Sequence, residues 1–211
     1  GAEGRLLLFP PVLGLDPAAG TRAWIEATAG CRAAELVGAP SLSLAGFRLD
    51  RALDAALARA GVARIAERAQ RVEVEGVRVR GVQMQGTATL PCDALVLATG
   101  RFVGGGIAER GGQLVEPLLG LPLHDLAGRR IDGLAASQLV RPDYDGEQPL
   151  FASGVRTDMR LRPLGATGLP RFANCFAAGD LLGSFDPARD RTGLGVALLS
   201  GRRAGIEAAS C

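Results

Sequence analysis

The residues with the clearest chemical potential lie near the C-terminus. Residues 173–180 predict a short buried strand that ends in Gly179 and Asp180, and residues 192–199 predict a helix that begins at Gly193 and Gly195. The first amides of a helix have no intrahelical partner and lie at the positive end of the helix dipole. They can therefore bind a phosphate or a polar ring. A carboxylate at the strand's end can accept hydrogen bonds from ligand hydroxyls. The pattern predicts a ligand-binding corner.

A second strand supplies a further edge for this corner. Residues 94–100 are continuously apolar and end at Thr99 and Gly100, which predicts a strand buried on both faces. In open α/β sheets, ligands bind beyond the carboxyl ends of the strands. The glycine-rich loop at residues 104–106 follows and can approach a ligand closely, although a plain tight turn is an alternative.

Upstream, the pattern predicts an α/β segment over residues 1–46 that is peripheral to the main domain. It includes a strand near residues 5–11, a helix from Thr21 to Ala29, a strand at 33–37 and a loop at 38–46. The next helix carries Leu49, Leu53 and Leu57 on one stripe, which we expect to be core and not a partner site.

The remaining elements are expected to complete one domain. Valines alternate with charged residues over 72–82, which predicts an antiparallel β-meander with one solvated face. Residues 127–150 are polar and punctuated by prolines, so we expect a surface excursion. In the last helix, Val196, Leu199 and Ile206 are expected to face inward, with Gly201 and Gly205 as small contacts against a sheet.

Composition excludes several classes of protein. The chain has 211 residues, 47% of them hydrophobic, and a net charge of +2, which does not favour nucleic-acid binding. Four separated cysteines predict neither a zinc nor an iron–sulfur site but free thiols in a reducing compartment. With no leader and no membrane-spanning run, we expect a cytoplasmic protein. The absence of an initiator methionine predicts a fragment.

The ordered motifs resemble a known family. The strand ending at Gly100, residues 154–158 (Gly-Val-Arg-Thr-Asp), residues 174–180 and the glycine-led helix are similar to the second half of FAD-binding flavoproteins of the fumarate reductase and succinate dehydrogenase superfamily. Residues 104–110, 116–121 and 183–187 resemble, more narrowly, the B-subunit family of anaerobic glycerol-3-phosphate dehydrogenases.

This resemblance implies both a fold and a cofactor. The fold would be α/β, the C-terminal half of an FAD/NAD(P)-binding Rossmann-like domain that also contains the β-meander, with residues 1–211 as a single partial domain. The cofactor would be a flavin, either FMN or FAD. The chain would pass electrons within a quinone-linked complex that oxidises glycerol 3-phosphate to dihydroxyacetone phosphate.

The same resemblance implies partners and a location. A catalytic flavoprotein subunit and a membrane-associated iron–sulfur subunit would complete the complex. The chain itself, with no membrane span of its own, would lie at the inner face of the cell membrane through a partner subunit.

The site residues implied by the resemblance are carried over position by position. Thr99 and Gly100 match the turn against the cofactor. Gly179 and Asp180 match the strand end whose acid binds the flavin ribityl chain. A third group matches the helix start whose amides face the flavin or its phosphate, namely Gly193, Gly195 and Val196.

Two departures from the family pattern leave alternatives open. The dinucleotide motif G-x-G-x-x-G after a first strand is absent, so the chain holds at most half a nucleotide site. The histidine and arginine pattern of fumarate reductases is not recognisable either, and the single histidine, His124, predicts no catalysis. No catalytic residue is therefore assigned. A cofactor-free scaffold for partner subunits and a general FAD-dependent oxidoreductase remain the other hypotheses.

Overall fold

A computed structural model describes residues 5–16, 19–36, 44–86, 89–143 and 145–211. It divides into two compact units, Gly1–Ala66 and Glu67–Cys211. The sequence instead predicted a single partial domain with a peripheral segment at 1–46, and that domain assignment stays a prediction. Each unit is described by itself.

Within its described residues, the first unit contains two parallel strands and two helices. Strand β1 spans Leu6–Phe9, helix α1 Thr21–Ala29, strand β2 Arg32–Glu35 and helix α2 Leu44–Arg59. The two strands pair in parallel. The predicted helix at 21–29 is confirmed. It ends where Gly30 adopts a left-handed conformation.

A partly buried ion pair fastens α2 to β2. Arg48 donates hydrogen bonds to both carboxylate oxygens of Glu35, and the Leu13 amide donates to the same carboxylate at 2.6 Å. The two charged side chains are only 17% and 19% exposed. The hydrogen bond from Arg48 lowers the pKa of Glu35 to about 2, so this carboxylate is ionised over the whole neutral range.

The leucine stripe of α2 is not buried within this chain, and the prediction of a core stripe is wrong for the described residues. Leu49 is 48% exposed, Leu53 52% and Leu57 37%. The helix also begins at Leu44, inside the predicted loop, of which residues 38–43 lie outside the described part of the chain.

The second unit begins with a three-stranded antiparallel sheet. Strands β3 (Ala69–Glu75), β4 (Arg78–Met84) and β5 (Thr89–Pro91) pair in sequence order. Val72 and Val79 are buried, while the charged residues between them in the alternation face outward or lie partly exposed. The strands pair as the period-two pattern predicts, but Val74 is 42% exposed and Val77 63% exposed, so the predicted division into a buried and a solvated face holds only in part.

Two short parallel strands form the centre of the second unit. Strand β6 (Leu95–Leu97) pairs with β11 (Cys175–Ala177), with Leu95 opposite Cys175. Every residue of β11 is fully buried, and Leu97 is 2% exposed. Burial on both faces explains why these segments are continuously apolar and do not alternate.

Short elements connect these strands. The hairpin β7 (Ala108–Arg110) and β8 (Gln113–Val115) precedes the pair β9 (Leu123–His124) and β10 (Gly154–Val155). Turns of 3-10 helix occupy residues 136–139, 149–152 and 179–181. Of residues 154–158, which carry part of the resemblance, Gly154 and Val155 form β10. Within the predicted surface excursion at 127–150, Ile131 and Leu139 are buried in the main core, so this segment also contributes to packing.

The chain ends with helix α3 (Pro187–Asp190) and the long helix α4 (Gly193–Ala208). The buried residues of α4 are Ser200, Ala204 and Glu207. Ala204 packs with Phe176 and Ala178, so small side chains bring the helix close to β11.

The inward face predicted for α4 is therefore wrong in part. Leu199 is 70% exposed and Ile206 48% exposed. A Cβ added at Gly201 or Gly205 would meet no atom within 4 Å, so neither glycine contacts a sheet.

Membrane-spanning helices and metal clusters are both absent from the residues that the structure describes. None of the helices in those ranges combines the length and the apolar character that crossing a membrane would require. No group of three or more histidine, cysteine and acidic side chains there is arranged to hold a metal ion.

Candidate functional site

The parallel pairing of β6 and β11 brings two predicted edges together. The amide of Ala178 donates to the carbonyl of Leu97 at 2.9 Å, so β6 and β11 end at the same level of the sheet. Residues 99–100 follow β6 and residues 179–180 follow β11 at this common edge. Four of the predicted cofactor-binding residues thus lie along one rim, as expected for the carboxyl ends of parallel strands.

Glycine is required at both strand ends. Gly100 and Gly179 each have a φ of +69°, a conformation that L side chains rarely adopt. A Cβ at Gly179 would meet no atom within 4 Å, so space beside it is open. These two glycines turn the chain away from the sheet and leave its edge accessible.

The glycine-rich loop at 104–106 has a different role. A Cβ on Gly104 would lie 2.1 Å from the carbonyl oxygen of Thr99, and one on Gly106 would lie 1.9 Å from that of Gly100. These glycines are required by the packing of the loop on its own preceding turn. The alternative of a tight turn therefore accounts for them without a ligand.

The start of α4 lies beside Asp180. A Cβ on Gly193 would be 3.9 Å from Oδ1 of Asp180. The amide of Val196, which was predicted to face the cofactor, donates instead to the carbonyl of Thr192 at 2.9 Å. Among the described residues, the amides of Gly193, Leu194 and Gly195 have no acceptor, as is usual for a first helical turn. Leu194 was not predicted, because its side chain carries no polar signal.

A serine that the sequence reasoning missed joins α4 to the rim. The amide of Gly179 donates to Oγ of Ser200 at 2.9 Å, and that hydroxyl donates to the carbonyl of Val196. The Gly179 amide is thus occupied by protein. A small hydroxyl residue four positions before Ala204, on the same helix face, was the available signal.

Arg101 is a second residue that the sequence reasoning missed. Its side chain is 6% exposed, and it donates from Nε to the carbonyl of Asp180 at 3.1 Å and from Nη2 to that of Leu182 at 3.0 Å. Burial lowers the pKa of Arg101, while the nearby carboxylates of Asp180 and Asp186 raise it. The turn after β6 is therefore tied directly to the segment after β11.

A cavity of about 250 Å³ lies between these two segments. Its walls include Gly100, Arg101, Gly104, Asp180 and Ala188. A larger cavity of about 570 Å³ adjoins it, with Ala188 in the walls of both. The site is thus a cleft that opens beside the shared rim.

Asn174 supports the rim from below. Its side chain is 1% exposed, donates to the carbonyls of Val79 and Asp93, and accepts a hydrogen bond from the amide of Val79. These contacts join the antiparallel sheet to the residue just before β11. Asn174 stands in the motif that carried the resemblance, and its contacts here are structural.

His124 offers no chemistry at this rim. It lies in β9 opposite Gly154, with Nδ1 enclosed and without a partner among the described residues. Burial, followed by the charge of Arg156, lowers its pKa, so the imidazole is neutral at pH 7.

The architecture is mixed α/β, with parallel strands that end in glycine turns, and this defines the fold class of the chain. Comparison with known families identifies the family. The FAD binding domain family matches residues 1–196, and the chain belongs to this family. The predicted flavin cofactor is thereby supported as FAD.

The particular relatives fall within the B-subunit family that the motifs resemble. The chain is 35% identical over 215 residues, 99% of its length, to a protein of Halobacterium salinarum named as the probable B subunit of anaerobic glycerol-3-phosphate dehydrogenase. It is 31% identical over 202 residues to the B subunit of the anaerobic glycerol-3-phosphate dehydrogenase of Yersinia enterocolitica, covering 94% of this chain. The predicted resemblance is confirmed.

The chain spans about half the length of these relatives, 48% of the first and 45% of the second. No solved structure matches the chain at a significant level.

The residues at the rim fit a flavin in part. Two enclosed polar atoms beside Gly100, Oγ1 of Thr99 and Nη1 of Arg101, lack partners among the described residues. Arg101 lines the cleft, whereas Thr99 lines another cavity, of about 540 Å³. An acceptor at Asp180 and unoccupied amides at the start of α4 add polar groups of both kinds. This set suits a ligand with several hydroxyls and a polar ring.

Proposed function

We propose that this chain provides the ribityl and ring side of a flavin site, within the C-terminal half of a Rossmann-like FAD-binding domain. The observation that carries the proposal is the common edge of β6 and β11, which carries Thr99, Gly100 and Asp180 and has Asp180 beside the start of α4. Thr99 and Gly100 would form the wall against the cofactor. Asp180 would accept hydrogen bonds from its hydroxyls.

The protein containing this chain would be an electron-transferring subunit of a quinone-linked glycerol-3-phosphate dehydrogenase. The names of its relatives support this role. A bound flavin would supply the redox chemistry, and the chain would supply position and electrostatics. Asp180 is assigned to the ligand's hydroxyls, and among the described residues no histidine, cysteine or tyrosine lines the cavity at the rim, which favours electron transfer over substrate oxidation.

The remaining parts of the complex belong to the same proposal. A catalytic flavoprotein subunit would oxidise glycerol 3-phosphate, and an iron–sulfur subunit would hold the assembly at the inner face of the membrane. FMN remains the alternative cofactor, since the AMP half of FAD would lie mostly outside the residues of this rim.

The test is the visible absorbance of the purified full-length protein, with Asp180→Ala and the matched control Asp50→Ala on the exposed face of α2. We expect a flavin spectrum in the parent and in the control, and its loss in Asp180→Ala, because only Asp180 lies at the rim. A colourless parent that takes up neither FMN nor FAD would exclude the proposal. Extraction and chromatography of the flavin would separate FMN from FAD.

A scaffold that binds no cofactor is the second candidate, and the exposed apolar residues of α4 favour it. Leu194, Leu198 and Leu199 are each at least 70% exposed. Several exposed apolar side chains on one helix are typical of a surface that binds a partner. This candidate predicts co-purification with an iron–sulfur protein that survives in Asp180→Ala and fails in Leu198→Glu. Retention in both variants would exclude this helix as the contact.

A further inference from the structure

The guanidinium of Arg101 is held in a fixed position. Nε and Nη2 donate to the carbonyls of Asp180 and Leu182, and Nη2 makes a longer contact of 3.4 Å with the carbonyl of Phe185. The guanidinium carbon lies 5.1 Å from the centre of the Phe185 ring. Since these contacts orient the planar group, its remaining N–H donors have a defined direction.

One nitrogen of this group has no acceptor. Nη1 is enclosed, and among the described residues it makes no hydrogen bond. A buried charged donor without an acceptor is costly, and native proteins rarely contain one without a ligand or water to satisfy it. Arg101 lines the cavity of about 250 Å³ at the rim, so a molecule bound there that reaches Nη1 would supply the acceptor.

The charges around the cavity indicate the chemistry of that acceptor. Asp180 and Asp186 both interact favourably with Arg101, so the positive charge is already offset by carboxylates. A full oxyanion would meet these carboxylates, whereas an uncharged oxygen would not. Asp180 also needs a donor in its ligand. Hydroxyl groups both donate and accept, which satisfies the two side chains together.

We propose that Arg101 and Asp180 together bind neighbouring hydroxyls of a polyhydroxylated chain, the ribityl chain of the flavin. Nη1 of Arg101 donates to one hydroxyl oxygen, and the carboxylate of Asp180 accepts a hydrogen bond from another hydroxyl. The carbonyl contacts of Arg101 fix the width of the cleft at the same time. This assignment rests on the proposed flavin site and adds a donor to it.

The test compares two flavins that share a ring system. Riboflavin carries the ribityl chain, and lumiflavin carries a methyl group in its place. Fluorescence titration of the flavin-free full-length protein gives a dissociation constant for each. We expect Arg101→Met to weaken riboflavin binding by about 10- to 100-fold, the loss of one charge-assisted hydrogen bond, and to leave lumiflavin binding unchanged. Arg71→Met on the exposed face of β3 is the matched control and should change neither.

The outcomes separate this inference from the proposed function. A purely structural role of Arg101 would weaken both flavins by the same factor, and that result would overturn the inference. An Arg101→Met variant in which neither dissociation constant changes would overturn it as well. If Arg101→Met does not fold, Arg101→Lys decides the question, because lysine keeps the charge but cannot hold the carbonyls and the ligand at once. Its preference for riboflavin over lumiflavin should also fall.

The parent protein distinguishes the remaining cases. If it binds riboflavin and lumiflavin equally well, the flavin site stands and the hydroxyl contacts are refuted. If it binds no flavin of any kind, the proposed function itself fails.

Discussion

Replacing Asn174 by aspartate exchanges one NH₂ group for an oxygen and leaves the size of the side chain unchanged. In the native structure, Nδ2 donates to the carbonyl of Val79 at 2.8 Å and to that of Asp93 at 2.6 Å, while Oδ1 accepts from the Val79 amide at 2.8 Å. Aspartate can keep only the last of these contacts. Two carbonyl oxygens would then face a carboxylate in a site that is 1% exposed.

The expected cost is large. A buried polar group left without its partner costs about 1–3 kcal/mol, so two carbonyls predict a loss of about 2–6 kcal/mol at neutral pH. Total stabilities are about 5–15 kcal/mol, so the variant should be close to unfolding. Burial and the facing carbonyls should also raise the pKa of the new carboxyl above its value of about 3.9 in the unfolded chain.

The pH dependence follows from that raised pKa. The folded state of Asn174→Asp would bind a proton more tightly than the unfolded state, so its stability should rise as the pH falls from neutral towards about 4. Protonation also restores one donor to a carbonyl. Relative to the parent, the variant should therefore recover part of its lost stability at pH 5.

Urea unfolding followed by circular dichroism at pH 7.5 and pH 5 measures both effects. Gln148→Glu is the matched control, because Gln148 makes the same three contacts, with Arg141 and Asp143, in an exposed loop. Water can replace them there, so we expect a loss below about 1 kcal/mol. An equal loss in both variants, or no recovery of Asn174→Asp at pH 5, would refute the reasoning.

Three further predictions concern stability and reactivity. Because the hydrogen bond from Arg48 lowers the pKa of Glu35 from 4.5 to about 2, the pair stabilises its unit above the higher value and less as the pH falls towards the lower. Glu35→Gln should thus lose stability at pH 7 and show a flatter acid titration by circular dichroism. Gly154→Ala places a Cβ 2.4 Å from a backbone nitrogen and should cost at least about 1–3 kcal/mol in urea unfolding, whereas Gly201→Ala, in open space on α4, should be neutral or stabilising by up to about 1 kcal/mol. Burial raises the pKa of the Cys175 thiol to about 12, so it should react with a thiol reagent only after unfolding; prompt labelling in the folded protein would contradict this.

Local signals were sufficient for the rim. The continuous apolar run of β6 and the glycine that follows it predicted the strand and its turn. Burial on both faces favours apolar residues at successive positions, and a positive φ favours glycine. The same holds for α1, whose end at Gly30 was predicted and is observed. The general rule that ligands bind beyond the carboxyl ends of strands predicted that the two strand ends belong to one corner, and the structure adds that β6 and β11 pair in parallel.

Burial of helix faces could not be predicted from periodicity alone. The leucines of α2 share one face, but a shared face does not determine what covers it, and here they are about half exposed. In α4, the large residues Leu199 and Ile206 point outward, and Ser200 and Ala204 point inward. Small residues fit on this face because the helix lies close to β11, close enough for Ser200 to accept from the Gly179 amide.

Arg101 shows most clearly where sequence reasoning ends. Every basic residue of the chain other than His124 is an arginine, so composition gave this one no distinction. Its contacts lie 79, 81 and 84 residues away, on carbonyls that any residue type would present. A side chain that binds backbone groups leaves no complementary signal at their positions. The two strand ends could therefore be located from their own residues. The buried charge of Arg101, which ties these two ends together, becomes apparent only when both are seen in one structure. The unpartnered Nη1 of Arg101 then indicates that a ligand must supply a hydrogen-bond acceptor.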